Sequence, residues 1–285
     1  VLALPAILEN AGSSFSEMVG GMGYFFMIAL PVTALFGLLV IPDNQKSEGT
    51  TFPKLSDLPL ILKDNRPLVR TLLIEFLCSS ASSISAVTYI YLAKHVFDLE
   101  DISSRILFLY FFAGLLVMPI WMKISYLIGK SRTLLISTIL CSLTLATYLF
   151  IDTNDALSTL ITLTVLYGIG YGAPFTLTRA MMADIVDADE LRSEKKRPGL
   201  FYSILTTFSK VGAAIAVGLV YTYLEFSGFK PDQIASDKIK EILLFVFAFI
   251  PMILYFCAAL FCIGYELTSE KHNEIQKQLE FRNGT

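Results

Sequence analysis

The sequence predicts an all-α, polytopic membrane protein, and three observations predict it. Apolar residues make up 54% of the 285 positions and charged residues only 16%, against about 25% charged in soluble domains. Seven apolar runs approach or exceed the length of a membrane span, which needs roughly 20 helical residues. None of the runs shows the two-residue alternation of a barrel strand, and backbone polar groups in lipid must be satisfied within the segment, which a helix does.

Taken in order, residues 1–9 (VLALPAILE) are apolar and lead into a polar connector that ends near residue 19. They read as the tail of a preceding helix followed by an external connector. Position 1 is Val1, and no basic segment or cleavage site marks a signal peptide, so the expectation is a longer chain whose first spans lie upstream. The first full span is 20–41. A polar linker, 42–68, carries Pro42, Pro53, Pro59 and Pro67 among mixed charges. Six further runs, at 69–93, 105–124, 133–151, 157–184, 199–224 and 242–266, compose a six-helix bundle over 69–266. The tail, 267–285, is polar and suits a short helix with a frayed end.

Lys and Arg set the expected orientation. If span 20–41 runs from outside to inside, fifteen of the 22 basic residues fall in inside segments and five in outside segments. The linker and the C-terminus are therefore expected in the cytoplasm. A net charge of -3 excludes a basic nucleic-acid-binding surface as the main character of the chain. Cys78, Cys141, Cys257 and Cys262 sit inside apolar runs without zinc-type spacing and read as small apolar fillers. His95 and His272 fall in expected loops, far apart in the chain. No HExxH, GxSxG or P-loop pattern occurs, so neither an enzyme nor a cofactor is expected, and no metal site.

Ionisable groups inside spans are the candidates for function, because each costs about 2.5–3.5 kcal/mol or more unless it meets a cavity or a partner. Lys210 lies about eleven residues into its span, near mid-membrane at 1.5 Å per residue. Either a carboxylate or aqueous cavity answers its charge, or helix carbonyls do. Thr206, four residues earlier, shares its face. That pairing suits a polar solute site and suits back-bonding to the helix equally. Arg179 and Asp184 lie toward the cytoplasmic end of one span, Glu75 toward that of another. These read as gate or packing charges, with an Arg179–Glu75 pair as one arrangement. The small polar stretch Cys78–Ser85 allows either close helix approach or a hydrophilic path. Gly168 and Gly172 form a GxxxG pattern ahead of Pro174, which is expected to kink its helix.

The segments Met182-Ala183-Asp184-Ile185-Val186-Asp187, Arg197-Pro198-Gly199-Leu200-Phe201-Tyr202-Ser203 and Phe208-Ser209-Lys210 resemble the glycoside–pentoside–hexuronide:cation symporter family of the major facilitator superfamily. Leu62-Lys63-Asp64-Asn65-Arg66-Pro67-Leu68 is similar to that family's start of helix seven. Gly129-Lys130-Ser131-Arg132 resembles the superfamily's loop between helices eight and nine. The resemblance implies helices 6–12 of a twelve-helix, major facilitator-like bundle. It implies Na+- or H+-coupled symport of a small polar solute, such as a glycoside, by alternating access, in the plasma (inner) membrane. The partners it implies are that solute, membrane lipid and the N-terminal half of the same transporter, in a monomer.

By the same likeness, Lys210 serves both cation coupling and solute binding, Thr206 lies on the solute face, and Phe175 occupies the place of a sugar-lining aromatic. Asp184 and Asp187 match cytoplasmic loop acids that act in gating. Two departures stand out. Phe175 replaces Trp, and Arg179 is a charge where the family's sugar permeases are apolar. They leave open a lysolipid or other amphiphile as solute, since an arginine can hold a phosphate head group. A non-transporting sensor or scaffold of the same fold is the third reading.

Overall fold

The computed structural model describes residues 15–40, 62–63, 65–150, 156–231, 233 and 235–283. The expected stub at 1–9, the connector as far as 14 and most of the linker 42–68 lie outside the described residues, while 15–19, expected as connector, are helical. Every regular element among those described is helical. The chain divides into two units, Val1–Phe52 and Pro53–Thr285.

The first unit contributes α1, Phe15–Val40. It is apolar along its length and carries Pro31. The Thr33 hydroxyl donates to the Ala29 carbonyl at 2.8 Å, as a hydroxyl without water does.

The second unit holds seven helices among its described residues: α2 (Arg66–His95), α3 (Glu100–Ile128), α4 (Lys130–Tyr148), α5 (Ala156–Ser193), α6 (Pro198–Phe226), α7 (Asp237–Cys262) and α8 (Ser269–Asn283). Local chemistry sets their ends. Asn65 caps α2 by accepting from the Leu68 amide at 3.1 Å, with Pro67 in the first turn. Gly129 separates α3 from α4 at φ 91°, a conformation that favours glycine. Inside α7, Pro251 lacks the N–H that would bond the Phe247 carbonyl four residues earlier. A π-helical turn, Phe245–Phe249, stands at that point, and the freed Phe247 carbonyl faces the Ser85 hydroxyl at 3.5 Å. α5 runs through Pro174 without interruption.

Six of the described helices are long and apolar enough to cross a membrane: α1, α2, α3, α5, α6 and α7. α4 falls short on composition, though it stands where a seventh span was expected. It has 19 residues, seven of them Ser or Thr, and Thr133, Ser137, Thr138 and Thr144 are buried. Its hydroxyls are satisfied by helix carbonyls, as Thr138 to Leu134 at 2.9 Å, and by neighbours, as Ser142 to the Met252 carbonyl of α7 at 3.0 Å. A helix so enclosed needs less apolar surface than one facing lipid.

α5 is central: it packs on α2, α3 and α4, while α2 packs on α6 and α7. Glycines permit the closest approach. A Cβ at Gly168 would stand 2.3 Å from the Tyr110 carbonyl oxygen, and one at Gly172 2.5 Å from that of Gly114. The GxxxG pair thus lies against α3, while Gly170 between them faces Cys141 of α4. The stretch Cys78–Ser85 likewise serves packing. Ser79 donates to the Ser209 carbonyl of α6 at 2.6 Å, and Ser85 accepts from the buried Tyr167 hydroxyl at 3.1 Å.

Candidate functional site

Two groups of polar residues stand out on this scaffold. The first lies on the exposed faces of α5 and α6. Phe175 is 48% exposed. One turn later, Arg179 donates from Nη1 to the Phe175 carbonyl at 2.7 Å, and its guanidinium carbon lies 4.1 Å from the centre of the Phe175 ring, a cation–π arrangement. Tyr202 on α6 donates to the Arg179 carbonyl at 3.2 Å, tying the two helices at this level.

Along α6, Thr206 donates to the Tyr202 carbonyl and Thr207 to the Ser203 carbonyl, both at 2.8 Å. Both hydroxyls are therefore back-bonded and offer acceptor lone pairs on the exposed face. Lys210 is exposed on that face, about 18 Å from the start of α6. Among the described residues, no hydrogen bond or ion pair reaches its ammonium. Glu75 is buried on α2 at 6% exposure and forms no ion pair with Arg179, whose guanidinium is instead held by its own helix.

The second group closes the end of the bundle that carries the first turns of α2, α4 and α6, called here the basic end. The acids at the end of α5 meet basic side chains from α4, α8 and the turn between α5 and α6. Lys130, the first residue of α4, reaches Asp184 at 2.5 Å and the Ala180 carbonyl at 3.2 Å. His272 lies 3.4 Å from Asp184 and 2.9 Å from Asp187. Arg197 grips Asp189 with two bonds, 2.7 and 2.9 Å, across a turn in which Glu194 adopts φ 57°. Glu190 meets Lys196 at 3.5 Å and Arg282 at 3.4 Å.

The structure thus unites Asp184 and Asp187 through His272, unites Phe175 with Arg179, and sets Thr206 and Lys210 on one face. It brings neither Arg179 nor Glu75 into the acidic cluster. It also corrects both histidines. His95 is the last residue of α2 and stacks edge-on with Phe229, and His272 lies in α8 rather than in a loop. The sequence reading did not single out Asp189 or Glu190, and it named Arg197 and His272 without a role at this end. The signal for Arg197 was present, as Asp189 lies eight residues before it across a short polar break. For His272 there was none, since its partners are 85 and 88 positions away. Among the described residues, no group of His, Cys, Asp and Glu has an arrangement that could hold a metal ion.

The profile of the MFS/sugar transport protein family matches residues 1–269. The chain belongs to that family. It is 27% identical over 97% of its length to an uncharacterized symporter, sll1374, of Synechocystis sp., covering 55% of that protein. It is 22% identical over 98% of its length to the putative glycoside/cation symporter YagG of Escherichia coli, covering 60% of it. A glucuronide carrier protein homolog of E. coli is 25% identical over 95% of the chain, with 60% of that relative covered. The chain therefore spans about half to three-fifths of the length of these relatives. The family members are transporters of small molecules, and this chain is an integral membrane protein of that fold.

Proposed function

We propose that the chain forms part of a secondary active transporter that couples movement of a small polar solute, such as a glycoside, to a Na+ or H+ gradient by alternating access. One observation carries this reading: the Lys210 ammonium stands exposed, without a partner among the described residues, about 18 Å into an apolar helix. Such a charge calls for an aqueous cavity and an opposing group. Thr206 on the same face and Phe175 on α5 supply an acceptor and an aromatic wall, which suit a hydroxyl-rich solute. The opposing carboxylates come, in this reading, from an N-terminal bundle of the same transporter, with the solute between the two. The printed names of the relatives, a glycoside/cation symporter and a glucuronide carrier homolog, support the solute class and the coupling.

The cluster at the basic end is the proposed gate. Asp184 and Asp187 are held there by Lys130 and His272, so that end stays closed until those pairs part. The excess of Lys and Arg supports placing this end, with α8, in the cytoplasm of a plasma-membrane protein.

The test is uptake by the full-length protein reconstituted in liposomes under an imposed Na+ or proton gradient. Lys210→Ala is expected to abolish gradient-driven accumulation while the protein still inserts and remains monodisperse. Accumulation at the wild-type rate and gradient dependence in that variant would remove Lys210 from the coupling.

A further inference from the structure

Arg179 sits in α5, a helix long and apolar enough to cross a membrane, and the Tyr202 hydrogen bond to its carbonyl places it level with the first turns of α6, near the basic end. A long cationic side chain at this level would reach water most directly by extending toward that end. Arg179 does the opposite. Its guanidinium turns back along α5 and is fixed by two contacts, the bond to the Phe175 carbonyl and the stack on the Phe175 ring.

No carboxylate neutralises it among the described residues. Glu75 forms no ion pair with it. Asp184 and Asp187 are engaged by Lys130 and His272. A guanidinium has five N–H donors, and the bond to Phe175 uses only Nη1. The result is an aromatic-backed guanidinium with donors to spare, tied by the Tyr202 bond to α6, the helix that carries Lys210. A guanidinium held this way, with no ion pair among the described residues, favours a solute that brings its own negative charge.

We propose that Arg179 is a specificity-determining residue that reads an oxyanion on the solute, so that the transported molecule is an acid rather than a neutral glycoside. This rests on the transport reading above. The planar fork of an arginine matches a carboxylate or phosphate with two parallel bonds, which a lysine cannot reproduce. The Phe175 carbonyl and ring hold the guanidinium in place before the solute arrives, which lowers the ordering cost of binding.

The test is ligand-induced thermal stabilisation of the purified full-length protein, titrated with methyl β-D-glucuronide, methyl β-D-glucoside and a short-chain lysophosphatidate. The first two differ only in a carboxylate against a hydroxymethyl group. The wild type is expected to bind at least one charged ligand at least tenfold more tightly than the glucoside, and the better of the two identifies a sugar acid or a phosphate-bearing amphiphile as the source of the oxyanion. Arg179→Gln is expected to weaken that ligand about tenfold or more and to lower its margin over the glucoside, and Arg179→Lys to keep part of that margin. Equal binding of charged and neutral ligands by the wild type overturns the assignment. So does a preference that survives intact in Arg179→Gln, or the absence of binding by either charged ligand. If the charge preference depends on Arg179 but no ion gradient drives uptake, the symport reading falls and the role of Arg179 stands.

Discussion

Replacing Gly168 with alanine is expected to destabilise the bundle through one contact. The added Cβ would stand 2.3 Å from the Tyr110 carbonyl oxygen, with the Tyr110 carbonyl carbon and Cα at 3.1 and 3.2 Å. All three are backbone atoms of α3, so no side chain can swing aside. A carbon–oxygen contact settles near 3.3 Å or beyond, so α3 and α5 must part by roughly 1 Å along their shared interface. Overpacking of this kind costs about 1–3 kcal/mol, and a rigid obstacle belongs at the upper end. Alanine recovers about 0.8–1.0 kcal/mol over glycine in helix propensity, leaving a net loss of about 2 kcal/mol. Gly218 supplies the control, since a Cβ there meets nothing within 4 Å. Gly218→Ala should be neutral or stabilising by up to about 1 kcal/mol. Thermal unfolding of the two variants in the same detergent, followed by loss of the monodisperse peak after heating, measures the difference. A Gly168→Ala protein that melts with or above the wild type refutes the close-packing argument.

Two further outcomes concern the basic end. Lys130→Ala takes the ammonium away from the Asp184 carboxylate and leaves the His272 ring 3.4 Å from it, so a loss of about 1–3 kcal/mol is expected. A Lys130→Ala, Asp184→Asn double-mutant cycle should return a coupling of at least about 0.5 kcal/mol, and additivity of the two single changes would show that the pair contributes nothing. Arg197→Ala removes both bonds to Asp189 and should release the α5–α6 turn, seen as faster cleavage after Lys195 and Lys196 by trypsin; an unchanged cleavage rate would mean that the turn is held by other contacts.

The helices were legible in the sequence because lipid imposes a crude and lengthy signal, about 20 apolar residues at a time. At 133–151 the expected span met a helix too rich in hydroxyls to count among the six apolar enough to cross, and its hydroxyls are answered by helix carbonyls and by α7. Residues on one helix were readable together: Lys210 with Thr206, and Arg179 with Phe175, follow from i to i+4 geometry. What periodicity cannot show is the choice a side chain makes among several partners. Arg179 might equally have extended to Glu75 or to the acids below it, and only the three-dimensional arrangement shows it folded back on Phe175. His272 and Asp187 meet because α8 returns to α5, a long-range event that leaves no local mark.

The length of α5 has a mechanical consequence. Its 38 residues measure about 57 Å, while a hydrocarbon core is about 30 Å thick, so roughly half of the rod stands beyond it. A rod anchored near its middle is a lever. Tilting it by about 10° about that anchor moves a tip some 27 Å away by about 5 Å, the scale of one helical turn. The acids gripped by Lys130, Arg197 and α8 sit along the outer arm, where leverage is greatest, so modest ties there restrain a rotation whose axis lies deep among the helices.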